Sequence, residues 1–142
     1  MARKSQNNHY KVLIGLPEIE GAVSFHQREI NRALKPRLKA LEYVAEASKL
    51  AEFIGGRLEW LGLREDWAIA KPIFPGVEIY FVFTRANGEA PPSLKVFYSG
   101  DRISLMKGDD LSRMALVCIN QMLRFVKTTN PGKHLPDICN KV

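Results

Sequence analysis

The chain has 142 residues, of which 46% are hydrophobic and 25% are charged, and its formal net charge is +6. A chain of this length buries roughly two thirds of its unfolded surface without a metal or disulfide, and its composition excludes a disordered protein. Its apolar runs fall far short of the ~18 residues that a membrane-spanning helix needs. We therefore expect one domain over residues 1–142 and no membrane partner.

Residues 1–9 are polar and precede no apolar signal core, so we expect a flexible leader and a cytoplasmic location. Residues 10–16 form a short apolar run that predicts a first strand or an extended lead-in. Ser24 can cap a first helix, which Pro36 should end or kink because proline lacks the backbone donor. A second helix then starts at Pro36 and ends at Gly55-Gly56, where glycine provides a left-handed stop.

From residue 57 the hydrophobic period changes from about 3.6 to about 2, which indicates strands. The predicted strands are 57–61, 67–73, 77–83, 93–98 and 102–106. Residues 77–83 are apolar at nearly every position, so we predict an interior strand covered on both faces. Residues 85–92 contain a turn dipeptide and two prolines and join strands rather than continue them.

Asp109 is predicted to cap a last helix, whose apolar stripe includes Cys118 and Val126. The prolines and glycine that follow predict a flexible tail over 128–142. The predicted fold class is α+β: an antiparallel β-meander of about four to five strands, with two N-terminal helical segments and one C-terminal helix packed on the sheet. The absence of alternating βα units argues against a doubly wound nucleotide-binding fold.

The sequence contains no recognisable catalytic, cofactor or metal signature. It has no Gly-x-Ser-x-Gly elbow, and its glycine pair follows a helix instead of opening one. His26, with Glu29 one turn later, is too small a ligand set for a metal, so a surface or capping role is the simpler interpretation. The two cysteines, Cys118 and Cys139, are predicted to be unpaired thiols. We therefore predict no catalytic residues, no cofactor and no metal site.

A basic stripe is the sharpest candidate site. Residues 1–39 carry eight Lys or Arg against three acids, and residues 111–142 carry five against one. Four cations follow one another at intervals of four, three and four residues, which places them on one helical side if the chain stays helical through Pro36. The candidate polyanion-binding residues are Arg28, Arg32, Lys35, Arg37 and Lys39. A solvated helix face is the alternative interpretation.

Three segments carry a family resemblance: residues 50–57 (LAEFIGGR), 74–82 (FPGVEIYFV) and 88–96 (GEAPPSLKV). Together with a similar segment from 16 to 25, they resemble the bacterial and archaeal family catalogued as domain of unknown function 3786. The resemblance implies an uncharacterised prokaryotic protein with no established activity. Some members carry a cysteine-rich iron–sulfur segment that this chain lacks, and Tyr98-Ser99-Gly100 stands where the family tends to have Phe-Asp. No redox role is therefore implied.

Three functional hypotheses remain open. The first is a non-enzymatic accessory or binding domain, whose tails or loop 85–92 contact a protein or small-molecule partner. The second is a nucleic-acid-binding protein that uses the basic stripe. The third is an enzyme whose site is assembled from scattered residues.

Overall fold

A computed structural model describes residues 12–21 and 23–142. The helices are α1 (Leu16–Glu20), α2 (Phe25–Leu34), α3 (Leu38–Leu41), α4 (Ala47–Ile54) and α5 (Gly108–Thr129). The strands are β1 (Arg57–Glu59), β2 (Trp67–Phe74), β3 (Val77–Thr84) and β4 (Ser93–Ser99). Short 3-10 turns occupy Lys35–Arg37, Ile103–Leu105 and Asp137–Asn140.

The four strands form one antiparallel sheet in the order β1-β2-β3-β4, so each strand pairs with its neighbours in sequence. Side chains of one sheet face, among them Ile79 and Phe81, join a single apolar core with residues of α4 and α5 such as Leu50 and Ile119. The predicted α+β meander with a C-terminal helix is therefore confirmed.

The prediction of an interior strand at residues 77–83 is also confirmed. β3 pairs with β2 on one side and with β4 on the other. Its side chains alternate between the two faces, and both sets are buried: Phe81 on the helix side, and Tyr80 and Val82 on the opposite side with exposures of 1% and 4%. A run without polar alternation thus marks the covered strand.

The prediction of a fifth strand at 102–106 is wrong. Gly100 adopts a φ of 133°, and the chain turns back so that the Arg102 amide donates to the Gly76 carbonyl oxygen (3.2 Å). At the outer edge of β4, Ile14 instead exchanges two backbone hydrogen bonds with Tyr98. A strand or an extended lead-in was predicted at 10–16; the structure has this isolated bridge at Ile14, and α1 begins at Leu16. Residues 10 and 11 and the predicted leader lie outside the described residues.

Helix α2 ends at Leu34, just before Pro36, as predicted, but the helical region has a further break that the sequence did not predict. Pro36 lies in the first turn of the Lys35–Arg37 3-10 segment, and the backbone stays helical from α2 into α3. The break falls at residues 42–46, between α3 and α4. There the Arg85 guanidinium donates to the carbonyl oxygens of Glu42 and Val44, both at 2.6 Å. In a longer helix, backbone amides would donate to these carbonyl oxygens; here a side chain distant in sequence donates to them instead.

The C-terminal region differs from the prediction at both ends. α5 begins at Gly108 with Lys107 at the cap position, so Asp109 lies in the first turn rather than capping the helix. Residues 128 and 129 extend α5, and the segment after it packs against the core with Cys139 only 1% exposed. The prediction of a flexible tail over residues 128–142 is therefore wrong. None of the helices in the described ranges is long and apolar enough to cross a membrane.

Candidate functional site

A cleft separates the N-terminal halves of α2 and α5. The two helices run side by side in the same direction, because His26 lies near Asp109 (Nε2–Oδ1 3.6 Å) and, further along, Arg37 Nε donates to Asn120 Oδ1 (2.9 Å). The cleft has a volume of about 520 Å³. It is lined by Phe25, His26, Glu29, Ile30, Ala33, Leu34, Asp109, Ser112, Arg113, Leu116 and Ile119.

The lining changes character along the helices. The polar lining groups lie in the first two turns of α2 and α5 and include His26, Asp109 and Arg113, beside the exposed ring of Phe25, whereas the later turns contribute apolar side chains such as Ala33 and Leu116. Since the helices are parallel, the polar groups share one end of the cleft and the apolar groups share the other. The cleft therefore suits a molecule with one polar end.

A hydrogen-bonded cluster holds the polar end together. The Glu20 carboxylate accepts a hydrogen bond from Ser24 Oγ and pairs with His26 Nδ1. On its other side, His26 faces Asp109, whose second oxygen pairs with Arg113 Nη2 (3.2 Å). The hydrogen bond from Ser24, together with the contact to His26, lowers the pKa of Glu20 below its ordinary value. Helices α1 and α2 therefore meet at this carboxylate, and Gly108 at the start of α5 packs against it.

This cluster does not have the geometry of a catalytic triad. Glu20 lies between Ser24 and His26, so the imidazole is not placed to accept the serine proton. Ser24 is only 4% exposed, and its hydroxyl also accepts from the Gln27 amide (3.1 Å) as the N-cap of α2. Within the described ranges, we therefore identify the serine as a structural cap and not as a nucleophile.

The other chemically reactive groups are also placed structurally. Both cysteines are free thiols with buried side chains, and burial raises the pKa of Cys118 and of Cys139, which favours the unreactive protonated form. Across residues 12–21 and 23–142, no group of three or more His, Cys, Asp or Glu side chains could hold a metal ion.

Four of the five residues predicted as a polyanion site lie exposed on the outer side of α2 and α3. Arg28, Arg32, Lys35 and Lys39 are exposed, because the chain stays helical through Pro36. Arg37 is different: besides its bond to Asn120, it donates to the Ala33 carbonyl oxygen (2.7 Å) and is half-buried. The structure thus places four cations in one row and gives the fifth a contact between helices.

Loop 85–92, the other predicted contact region, is anchored at its start. Arg85 caps α3, and its amide donates to Asp66 Oδ2 (2.6 Å), while the Ala86 amide donates to Glu42 Oε2 (2.9 Å). Residues 86–91 are exposed beyond this anchor. None of residues 85–92 lines the cleft between α2 and α5 or the two smaller clefts found in the described ranges.

Sequence reasoning missed most of the cleft. It paired His26 with Glu29 on the same helix, whereas the partners of His26 are Glu20 on α1 and Asp109 on α5. The spacing of Asp109 and Arg113 at one helical turn was a readable signal for their ion pair. No local signal could have revealed that α5 brings this pair to His26.

Comparisons with protein-family models, with curated proteins and with solved structures gave no match, so the resemblance to the domain of unknown function 3786 family stays a prediction and the function must be argued from the geometry alone.

Proposed function

We propose that this protein is a non-enzymatic binding domain that holds a small, largely apolar molecule in the cleft between α2 and α5. The observation that carries the proposal is the cleft itself. Its volume of about 520 Å³ falls within the usual range of ligand pockets, which combine apolar walls with a few convergent polar groups.

Most charges at the polar end are paired with one another, which favours a neutral head group on this ligand; the exception is Glu29, which is exposed and has no ion pair in the described ranges. Asp109 is already paired with Arg113 and faces His26, so its charge is largely compensated. Ser112 adds a hydroxyl to the same end of the lining. A hydroxyl or amide on the ligand can donate to the carboxylate and accept from the guanidinium without bringing an uncompensated charge into the cleft.

The same geometry supports binding rather than catalysis. The imidazole of His26 is held between two carboxylates, and the nearby serine is buried as a helix cap. Covalent catalysis needs a nucleophile within hydrogen-bond reach of its base. The cleft groups described above are instead engaged with one another, in an arrangement that positions a ligand's polar end.

Binding of 1-octanol, a neutral probe with an apolar chain, tests the proposal. We expect cross-peaks of Ala33 and Leu116 to shift in NMR spectra on titration. At ten times its Kd, the probe should stabilise the protein by about 1.4 kcal/mol, which corresponds to a rise in Tm of about 4 °C.

The variant Ala33→Trp fills the apolar end of the cleft and should abolish both effects. Ala90→Trp, which places the same side chain on the exposed loop, is the matched control and should bind as the wild type does. Circular dichroism establishes that both variants fold. Shifts that are absent in the wild type, or that persist in folded Ala33→Trp, would contradict binding in this cleft.

A further inference from the structure

Within the helix layer, the positive charge is concentrated on α2, α3 and α5. The stretch from α2 to the end of α3 carries five Lys or Arg against one acid, Glu29, and α5 carries three against two. Together these helices hold a net charge of +5 out of the total of +6. The rest of the layer is acidic, since α1 carries two acids and residues 42–56 carry three acids against one lysine, while residues 57–107 of the sheet and its loops carry +1. The positive charge is therefore concentrated on α2, α3 and α5.

Six cations of this layer are exposed and unpaired. We name them the helix-pair basic surface: Arg28, Arg32, Lys35 and Lys39 on α2 and α3, with Arg124 and Lys127 on α5. None of them forms an ion pair with any residue in the described ranges. By contrast, Arg113 pairs with Asp109, and Arg37 is bonded between the helices. The surface therefore carries charge that is not neutralised within the fold.

Helix stability explains only part of the row on α2 and α3, since Arg32 and Lys39 lie in the last turns of their helices, where the helix dipole favours a cation. Arg28 lies in the first turn of α2, where the helix dipole disfavours a cation. Like charges spaced by three or four residues also repel one another along a helix. A partner of opposite charge would relieve this repulsion along the row from Arg28 to Lys39.

We propose that the helix-pair basic surface binds the phosphate backbone of a nucleic-acid duplex without reading its sequence. From Arg28 to Lys39 the row extends about 17 Å at the helical rise. Phosphates of one duplex strand follow every 3.4 Å or so along the axis, so the row spans about five of them. Arg124 and Lys127 lie on α5 just past the level of Lys39, because Arg37 meets Asn120. The axes of packed helices are about 10 Å apart, so these two cations can contact the second strand across a groove.

The apolar surfaces argue for a duplex rather than a membrane or a single strand. A helix that binds a lipid interface presents its apolar face to the acyl chains, but the apolar faces of α2 and α5 are buried in the core, as Ile30 and Ile119 show. Single strands are bound largely by stacking on exposed aromatic rings. No aromatic side chain belongs to the defined surface, and Phe25, which is 58% exposed, lies at the opposite end of α2 from Lys35.

Fluorescence anisotropy with a labelled duplex DNA of mixed sequence, at about 50 mM KCl, tests the proposal. Four to six neutralised phosphates predict a log–log salt slope of about −3.6 to −5.4. The triple variant Lys35→Glu/Lys39→Glu/Arg124→Glu should weaken binding by more than about 30-fold and reduce the slope by about 2.7. A second duplex of unrelated sequence should bind equally well, because phosphate contacts carry no base information.

The control is Arg64→Glu/Lys95→Glu/Lys107→Glu, which changes the net charge equally at exposed positions outside the surface. It should retain binding within about threefold and leave the slope almost unchanged. Circular dichroism melting verifies that both triple variants fold. Equal losses in the two variants, no binding of duplex at 50 mM salt, or tighter binding to phosphatidylserine vesicles than to duplex would each overturn the proposal.

Discussion

Replacing Arg85 by methionine should destabilise the protein more than any exposed arginine substitution, because it uncaps the carbonyl end of α3. The guanidinium donates to the Glu42 and Val44 carbonyl oxygens, both at 2.6 Å. Hydrogen bonds that involve a charged group contribute about 1.5–3 kcal/mol each. Val44 is buried, whereas Glu42 is half-buried and its carbonyl can regain water. We therefore expect a loss of about 2–4 kcal/mol in the free energy of unfolding.

Urea unfolding followed by circular dichroism measures this loss, which should lower the midpoint by about 1–2 M. Arg85→Lys keeps the charge but can donate to fewer carbonyls in this geometry, so we expect an intermediate loss. Arg28→Met is the control, since Arg28 is exposed and has no ion pair in the structure described. If Arg85→Met and Arg28→Met differ by less than about 0.5 kcal/mol, the capping argument is refuted.

Three further predictions concern the turn at Gly100, the carboxylate of Glu20 and the two thiols. Gly100→Ala should cost about 3 kcal/mol or more in urea unfolding, because the backbone there has a φ of 133° and a Cβ would overlap a carbonyl oxygen across the turn; a loss below about 1 kcal/mol would contradict this. Because the pKa of Glu20 is lowered on folding, its stabilising effect is complete above its ordinary value of 4.5 and is lost as the pH falls below it. The Tm difference between the wild type and Glu20→Gln should therefore shrink from pH 6 to pH 3, and a constant difference would exclude this coupling. Cys118 and Cys139 should both react with a thiol reagent in denaturant and only slowly in the native protein; rapid native labelling would contradict their burial.

Local patterns in the sequence predict the sheet and the ends of several helices. The apolar run at 77–83 identified the central strand because both of its faces are covered, and Ser24 was readable as an N-cap whose hydroxyl accepts from the Gln27 amide. Gly55 ends α4 with a φ of 79°, as expected for a glycine stop. Each of these features depends on a residue and its near neighbours.

Features that depend on distant partners could not be predicted in this way. Pro36 ends α2 at Leu34 as expected, and the chain continues through a 3-10 turn into α3, but the unpredicted break after α3 depends on Arg85 from the loop after β3. The cleft escaped prediction for the same reason, since His26 meets Asp109 only through the packing of α2 on α5. The register of two helices is set by tertiary contacts that no local pattern encodes.

The position of α5 has a consequence for the order of folding during synthesis. α5 packs against all four of the shorter helices and against the Asp137–Asn140 turn, although most of its partners precede residue 55. The strands pair only with sequence neighbours, so the sheet can form from contacts that close short loops. The apolar sides of the early helices, by contrast, lack their main partner until Gly108–Thr129 has left the ribosome. During that interval a nascent chain exposes the apolar residues that later form the core with α5.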